Sequence, residues 1–321
     1  MIRELTMEFA RVTEAAAIAA ARWMGRGDKD AADDAAVVAM REVFKTVHID
    51  GTVVIGEGEM DEAPMLYIGE RLGSGVEPKV DIAVDPVEGT NNVARGLNNA
   101  IAVLAACDTG GLLHAPDMYM NKIAVGPKAK GKIHLDAPVS ENLNAIADAN
   151  EKSLKDLTVV ILNRPRHDQL IKEVRAAGCR IQLIQDGDVA PAVAAAMAGT
   201  GVDVLMGIGG APEGVVAAAA LKCLGGEMQG RLWPEGNDDV ERAKKLGIGE
   251  VNKLLTMDDL VKAEDVVFAA TGITSGDLLQ GVRFFGKGAR THTVVMRSVT
   301  GTVRFIDAIH RLDKKLFTYR K

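Results

Sequence analysis

Acidic side chains next to short apolar runs are the groups in this sequence best suited to chemistry. The apolar run 80–84 is followed by Asp85-Pro86-Val87-Glu88, and the run 52–55 by Gly56-Glu57-Gly58-Glu59. Asp33 lies on the stripe of a predicted helix that turns inward, where a carboxylate needs a partner. These acids could therefore meet at one oxygen-rich site.

Crowded carboxylates repel one another, and a divalent cation is their natural neutraliser. Ligation by carboxylates alone favours Mg²⁺ or Mn²⁺ over zinc. The six histidines show neither the H-E-x-x-H nor the H-x-H spacing. A structural interpretation is also open, in which Asp85 is an acid at a strand end and Glu88 a charge at a helix N-terminus.

Two neighbouring segments have the residue types that bind phosphate. Gly89 and Thr90 open a predicted helix, whose free backbone N–H groups suit a phosphate. Arg164 and Arg166 flank Pro165 at a predicted strand end and present two guanidinium groups, which suits a phosphate dianion. A solvated basic turn explains the two arginines equally well.

Two later turns carry further candidate residues. Asp186 and Asp188 could accept hydrogen bonds from sugar hydroxyls, although a helix N-cap explains Asp188 nearly as well. The segment 207–214 is rich in glycine, but Pro212 stands where G-x-G-x-x-G requires its third glycine, and no G-x-x-x-x-G-K-[ST] occurs. Nucleotide chemistry is therefore disfavoured, and Glu213 is interpreted as an acid of a metal or phosphate site.

The apolar pattern predicts the elements that must position these residues. Helical spacing predicts a first helix that ends before Gly25 and a second with Asp30 as its N-cap. Predicted strands are 52–55, 80–84, 101–105, 122–125, 158–162, 180–184, 202–206 and, after a Gly-rich loop at 275–290, a last strand 293–297. Predicted later helices are 169–177, 189–197 and 214–224. The alternation beyond residue 156 predicts a mostly parallel sheet with ligands beyond its strand ends, and the polar segment 136–155 is interpreted as a domain boundary.

Composition excludes several classes of protein. The 321 residues are 47% hydrophobic and 26% charged, as in an ordinary globular protein. A net charge of −6 argues against nucleic-acid binding. The uncharged run 189–202 is too short to span a membrane. Arg3, Glu4 and Glu8 do not fit the pattern of a secretory signal, so we expect neither export nor a membrane partner. Three widely spaced cysteines favour neither a disulfide framework nor a thiolate zinc site, so we expect a reducing cytoplasm.

The motifs together resemble a known family. The sequence reads GEGEMDEAPMLYIG at 56–69 and DPVEGT at 85–90, followed by NRPRH at 163–167, QDGD at 185–188 and GGAPEG at 209–214. In this order they resemble the class II fructose-1,6-bisphosphatases, the GlpX family, within the lithium-sensitive sugar and inositol phosphatase superfamily. The resemblance covers essentially the whole chain. Glu88 stands where inositol phosphatases usually have Asp, which favours the bisphosphatase branch.

The resemblance implies roles for individual residues. Metal ligation is implied for Asp33, Glu57, Asp85, Glu88 and Glu213. Substrate contacts are implied for Lys29, which is also close to the metal site, and for Glu88, Gly89, Thr90, Tyr119, Arg164, Pro165, Arg166, Asp186, Gly187, Asp188 and Gly210. The implied catalytic residues are Thr90, Glu57 and Asp85, with Thr90 orienting a water that attacks phosphorus in line. Only the resemblance points to Tyr119, which would otherwise pass as a strand tyrosine.

The resemblance also implies a fold and a reaction. We expect an α/β protein, a layered α/β/α/β/α sandwich with an N-terminal α+β metal domain (1–155) and a C-terminal α/β substrate domain (156–321). The implied reaction is metal-dependent hydrolysis of D-fructose 1,6-bisphosphate to D-fructose 6-phosphate and phosphate, as in gluconeogenesis, by a homodimer or homotetramer. Alternatives are activity on sedoheptulose 1,7-bisphosphate or an inositol phosphate. An inactive sugar-phosphate sensor is a further alternative, against which the intact set of acids argues.

Overall fold

The computed structural model describes residues 4–58 and 65–314 in two compact units. One unit is drawn from residues 1–112 and 263–321, and the other from residues 113–262. This division differs from the expected one, because residue 155 lies inside the second unit and the C-terminal segment returns to the first. Residues 59–64 of the motif at 56–69 lie outside the described residues.

Helices and strands are interspersed along the described residues. The helices are α1 (Leu5–Ala21), α2 (Lys29–Phe44), α3 (Thr90–Arg95), α4 (Val139–Asn150), α5 (Asp168–Ala176), α6 (Val189–Ala195), α7 (Ala211–Leu224), α8 (Asn237–Lys245) and α9 (Met257–Leu260). The strands are β1 (Asp50–Ile55), β2 (Arg71–Leu72), β3 (Lys79–Glu88), β4 (Ile101–Asp108), β5 (Tyr119–Val125), β6 (Thr158–Leu162), β7 (Arg180–Ile184), β8 (Val204–Gly210), β9 (Glu227–Trp233), β10 (Val266–Gly272), β11 (Arg283–Phe285), β12 (Gly288–Arg297) and β13 (Thr302–Arg311).

The first unit is an eight-stranded sheet packed against α1 and α2. The strand order is β11-β12-β10-β4-β3-β1-β2, with β13 also paired to β12, and the β1–β3 pair is parallel. β10 pairs with β4 along its whole length, which is why the C-terminal segment belongs to this unit. The expected last strand is longer and is followed by β13, because β12 and β13 form an antiparallel hairpin with ten residues in each strand.

Both predicted N-terminal helices are confirmed. α1 contacts α2 on one side and β10 and β12 on another, and nearly all of its side chains are buried. The apolar stripe of α2 buries Val37, Met40 and Phe44. The N-cap of α2 is Asp28 rather than Asp30, because the Asp28 carboxylate accepts a hydrogen bond from the Ala31 N–H at 2.9 Å. No helix of the described part of the chain is both long and apolar enough to cross a bilayer.

The second unit is a five-stranded sheet in the order β7-β6-β8-β5-β9. One face packs on α4 and α5 through a cluster that includes Ile123, Val159 and Val204. The other face carries α6 and α7, which contact β5 and β8. The expected mostly parallel sheet is mixed, because β6 pairs in parallel with β7 and β8 whereas β5 is antiparallel to β8 and β9.

Each unit thus combines helices with its own multi-stranded sheet, which confirms the predicted α/β class. The polar segment 136–155, expected to be a boundary, contains α4 instead. α4 buries Leu143 and Ile146 in the core of the second unit, so the segment is part of that unit. Polar residues such as Ser140 and Asn144 lie on the exposed face of this amphipathic helix, whereas Asn142 is buried and accepts a hydrogen bond from the His134 N–H at 2.9 Å.

Candidate active site

Asp33 and Glu57 share a side-chain hydrogen bond in the first unit. Asp33 is on the first turns of α2, and Glu57 follows β1 by two residues. Burial raises the pKa of the Asp33 carboxyl, the hydrogen bond with Glu57 lowers it, and the charges of Asp34 and Asp30 raise it again. Two carboxyl groups that hydrogen-bond to each other share a proton, and a divalent cation can take the place of that proton.

The loop that carries Glu57 is tied to α2 by a chain of hydrogen bonds. The Glu57 N–H donates to the Leu66 carbonyl at 3.0 Å, and the Leu66 N–H donates to the buried Glu70 carboxylate. The other oxygen of Glu70 accepts a hydrogen bond from Arg41 Nε at 2.5 Å. Arg41 lies two turns after Asp33 on α2. The helix α2 therefore carries Asp33 and also holds, through Arg41 and Glu70, the loop that carries Glu57.

Asp85 and Glu88 lie on a distorted stretch of β3. The expected turn is an irregularity within the strand instead: Asp85 pairs with Val103 and Glu88 with Ile101, so three residue steps on β3 match two on β4. Pro86 lacks an N–H and suits such a bulge. The two acids each offer a carboxylate oxygen, and these oxygens lie within 4.8 Å of each other. The bulge therefore turns two acids three residues apart toward one point.

Gly89 and Thr90 begin α3, as expected. Gly89 is the N-cap and has a φ of 92°, a left-handed conformation that favours glycine. Thr90 is the first helical residue, so its hydroxyl is not at the capping position. The described residues give the half-buried Thr90 hydroxyl no hydrogen bond. The Thr90 side chain therefore does not cap α3.

In the second unit, Arg166 stacks on Tyr119. The Arg166 guanidinium carbon lies 4.3 Å from the centre of the Tyr119 ring, and Arg166 Nε and Nη2 donate to the Ile208 carbonyl at 3.2 and 3.0 Å. Arg164 is half-buried and bonds to the Asn163 carbonyl at 3.1 Å. These contacts use only part of each guanidinium, which has five N–H donors. Tyr119 therefore contacts the turn that carries Arg164 and Arg166.

His167 fixes the turn that carries these arginines, a role that the sequence did not predict. The buried His167 ring donates from Nδ1 to the Leu162 carbonyl at 2.6 Å and accepts the Ile208 N–H at Nε2, at 2.7 Å. Nε2 must therefore be unprotonated. Burial lowers the pKa of His167 and the charges of Arg166 and Arg164 lower it further, against the opposing hydrogen bond to Leu162.

We expect the neutral state of His167 to make the folded protein less stable at acidic pH. Because its pKa is lower in the folded than in the unfolded chain, the unfolded chain binds more protons, and the contribution to stability is complete above about pH 6.5. It should be lost as the pH falls toward the folded-state pKa. Unfolding free energies of the wild type and His167→Gln, measured from pH 8 to pH 5, should show a steeper acid loss in the wild type.

NMR titration of the His167 ring in the folded wild type provides a check that does not depend on the variant. A folded-state pKa at or above about 6.5 would contradict the expected pH dependence.

Asp186, Gly187 and Asp188 form the turn between β7 and α6. Asp186 is half-buried and Asp188 is buried. Asp188 occupies the N-cap of α6, but its side chain makes no capping hydrogen bond. Its Oδ2 lies 2.8 Å from Lys122 Nζ instead. The N-cap alternative therefore does not explain the Asp188 carboxylate.

Glu213 and Gly210 lie against each other where β8 passes into α7. The expected Gly-rich turn at 207–214 is shorter than the pattern suggests, because 207–210 complete β8 and α7 starts at Ala211. A Cβ at position 210 would overlap Glu213 Oε2. This oxygen is buried and lacks a hydrogen-bond partner among the described residues. An unpaired buried carboxylate oxygen is chemically suited to a cation.

The electrostatics of Glu213 agree with this geometry. Burial raises the pKa of its carboxyl, the Lys122 charge lowers it, and the Asp188 charge raises it. Among the remaining expected residues, Lys29 is exposed at the start of α2, and Pro165 is exposed beside Arg164. The structure gives these two no contact that tests a role in the site.

Sequence reasoning missed Lys122 as well as His167 and the Arg41–Glu70 pair. Lys122 alternates with Met120 and Ala124 on one face of β5, and all three are buried. A lysine flanked in this way by apolar residues two positions before and after is the signal that could have identified it. Glu70 offers no comparable signal, because its partners are 29 and 4 residues away in the sequence.

Comparisons with known proteins agree with the motifs. A model of the family described as bacterial fructose-1,6-bisphosphatase, glpX-encoded, matches residues 3–310. The chain is 52% identical over 328 residues to fructose-1,6-bisphosphatase 1 class 2 of Escherichia coli strain K12, covering 98% of this chain and 97% of that protein. It is 50% identical over 337 residues to D-fructose 1,6-bisphosphatase class 2/sedoheptulose 1,7-bisphosphatase of Synechococcus sp. strain JA-3-3Ab, with the same coverage. The chain belongs to the family of bacterial, glpX-encoded fructose-1,6-bisphosphatases.

Proposed function

We propose that the chain hydrolyses D-fructose 1,6-bisphosphate to D-fructose 6-phosphate and phosphate and requires Mn²⁺ or Mg²⁺. The observation that carries the proposal is the pairing of the acids: Asp33 bonds to Glu57, and Asp85 and Glu88 offer oxygens within 4.8 Å of each other. The substrate is inferred from relatives that share half of the sequence and are named for this activity.

The residues present fit a divalent metal. The proposed ligands are Asp33, Glu57, Asp85, Glu88 and Glu213, all hard oxygen donors. The buried, unpartnered Oε2 of Glu213 supports this assignment independently of the paired acids. When bound, such a metal lowers the pKa of a coordinated water and offsets the charge of a phosphate. Both Mn²⁺ and Mg²⁺ accept carboxylate ligands, so the proposal includes both ions.

The proposed roles of the other residues follow from their contacts. Thr90, with a hydroxyl that does not cap α3, orients the attacking water, and the backbone N–H groups around Gly89 face the scissile phosphate. Arg164 and Arg166 hold the distal phosphate, with Tyr119 supporting the Arg166 guanidinium from its ring face. Asp186 and Asp188, with Gly187 and Gly210 beside them, accept hydrogen bonds from the sugar hydroxyls. Lys29 is proposed to lie near the metal and the scissile phosphate.

A second activity on sedoheptulose 1,7-bisphosphate is favoured by one observation, the name of the Synechococcus relative. Both sugars are ketose bisphosphates, so the same phosphate contacts would serve either. A cytoplasmic location and a homo-oligomeric state, dimer or tetramer, are further proposals. The sugar-phosphate sensor is the competing class, and it would bind the sugar without releasing phosphate.

Phosphate release from a panel of substrates tests the proposed function. The panel is fructose 1,6-bisphosphate, sedoheptulose 1,7-bisphosphate and inositol 1-phosphate, each with Mn²⁺, with Mg²⁺ and with chelator. Release from fructose 1,6-bisphosphate only with metal is expected, and Asp85→Asn serves as the inactive control. Binding of the sugar without phosphate release under every condition would favour the sensor.

Loss of the arginines should weaken substrate binding. Replacing Arg164 or Arg166 with Ala is expected to raise KM at least about 30-fold, equal to about 2 kcal/mol, because each removes a charge-assisted contact with phosphate. Arg166→Lys retains the charge but loses the planar fork, so its KM should lie between those of the wild type and Arg166→Ala. Unchanged KM and kcat in a folded double alanine variant would favour the alternative, in which the two arginines belong to a solvated basic turn and do not bind substrate.

A further inference from the structure

Lys122 is a buried cation at the centre of the second unit's candidate residues. Its side chain is 1% exposed, and its Nζ lies 2.8 Å from Asp188 Oδ2. The same ammonium donates to the Gly210 carbonyl at 2.8 Å. Lys122 thus contacts two residues of the proposed sugar site, and its charge acts on the proposed metal ligand Glu213.

The Gly-rich segment 207–214 makes room for this cluster. A Cβ at position 209 would overlap Asp188 Oδ2, and a Cβ at position 210 would overlap Glu213 Oε2. The side chains of Asp188 and Glu213 therefore occupy the space that the two glycines leave empty. The segment 207–214, which does not match the nucleotide-binding motif, instead leaves space for Lys122, Asp188 and Glu213.

Burial of the Lys122 ammonium group fixes the geometry of its ion pair with Asp188. A buried ion pair costs desolvation that its attraction barely repays, so its presence does not by itself imply stability. It does fix geometry, because a lysine donor and a carboxylate that cannot reach water have few other arrangements. The cluster holds one positive charge against the two carboxyl groups of Asp188 and Glu213.

We propose that Lys122 is a positioning residue that holds the Asp188 carboxylate and the Gly210 carbonyl where the sugar is bound. This inference rests on the proposed function, because it presumes that Asp188 and Gly210 contact a sugar phosphate. Lys122 acts through Asp188 rather than on the reacting atoms. Its removal should therefore affect sugar binding more than the chemical step.

The test compares Lys122→Met with a matched variant, Lys152→Met. Lys152 also pairs with a buried acid, Asp203, with Nζ 2.6 Å from Oδ1, but Asp203 otherwise bonds to the Thr158 N–H of β6 and is not a proposed site residue. Lys122→Met is expected to raise KM for fructose 1,6-bisphosphate at least about tenfold, with kcat changed less than threefold. Calorimetric binding of fructose 6-phosphate should weaken by a similar factor, and Lys152→Met should change neither.

A double-mutant cycle with Asp188→Asn separates positioning from general packing. If Lys122 acts through Asp188, adding Lys122→Met to Asp188→Asn should raise KM less than threefold further. If Lys122→Met does not fold, Lys122→Gln, which is one bond shorter than lysine and lacks the positive charge that pairs with Asp188, takes its place in every arm. Fructose 6-phosphate affinity and KM equal to those of Lys152→Met, or fully additive effects in the cycle, would overturn the inference. A wild type that neither hydrolyses the bisphosphate nor binds the monophosphate would overturn the proposed function instead.

Discussion

Removal of divalent metal is expected to lower phosphate release from fructose 1,6-bisphosphate at least about a thousandfold. Several kcal/mol of transition-state stabilisation depend on the metal in such reactions. The proposed ligands are all carboxylates and supply no positive charge in its place. Without metal, the negative charges of the paired acids Asp33–Glu57 and Asp85–Glu88 lack the divalent cation that would offset them. Dialysis against chelator followed by a phosphate assay, with the metal content checked by elemental analysis, measures the effect.

Restoration of activity by Mn²⁺ is the control for irreversible damage during chelation. Metal should also raise the thermal midpoint of the wild type, because it binds only the folded ligand set. Glu57→Gln removes one proposed ligand and should lose most of that stabilisation. Full turnover in excess chelator by a protein shown to be free of metal would rule out the proposed site.

Thr90→Ala is expected to lose on the order of 10² in kcat, with KM changed far less. Thr90→Ser retains the hydroxyl and should retain measurable activity. The structure sharpens this prediction, because Gly89 occupies the N-cap of α3 and Thr90 stands one position later. A loss of capping is thus a poor explanation for a kinetic defect in the alanine variant.

Thr256→Ala is the matched control for the Thr90 variants. Thr256 forms a true capping box with Asp259 at the start of α9. Its loss should cost about 1 kcal/mol of stability and leave kcat unchanged. Near-wild-type kcat in Thr90→Ala, with an earlier thermal midpoint like that of Thr256→Ala, would remove Thr90 from the mechanism.

Local patterns predicted the elements that are regular, because regular elements repeat their signal. The helical spacing around Phe9 and Val12 correctly predicts α1, and the alternation beyond residue 156 correctly predicts β6 and β7. Irregular features carry no such period. The bulge at Asp85 arises from the pairing of β3 with β4 and could not be read from the sequence around Pro86 alone.

Contacts distant in sequence account for the other differences. The pairing of β4 with β10 joins segments separated by more than 150 residues, so no local change in composition marks it. The acids of the candidate site could be proposed from the sequence because carboxylates beside glycine and proline are conspicuous there. Lys122 was missed because its chemistry depends on Asp188 and on the glycines of β8, which only the folded chain brings together.

Phosphorus NMR of the reaction tests the central claim most directly, because it reports which phosphate leaves. With Mn²⁺ or Mg²⁺ present, the signal of the phosphate on C1 of fructose 1,6-bisphosphate should disappear as inorganic phosphate accumulates. The signal of the phosphate on C6 should persist as that of fructose 6-phosphate. Loss of the C6 phosphate, or binding of the sugar with no inorganic phosphate formed, would contradict the assignment of this chain as a metal-dependent fructose-1,6-bisphosphatase.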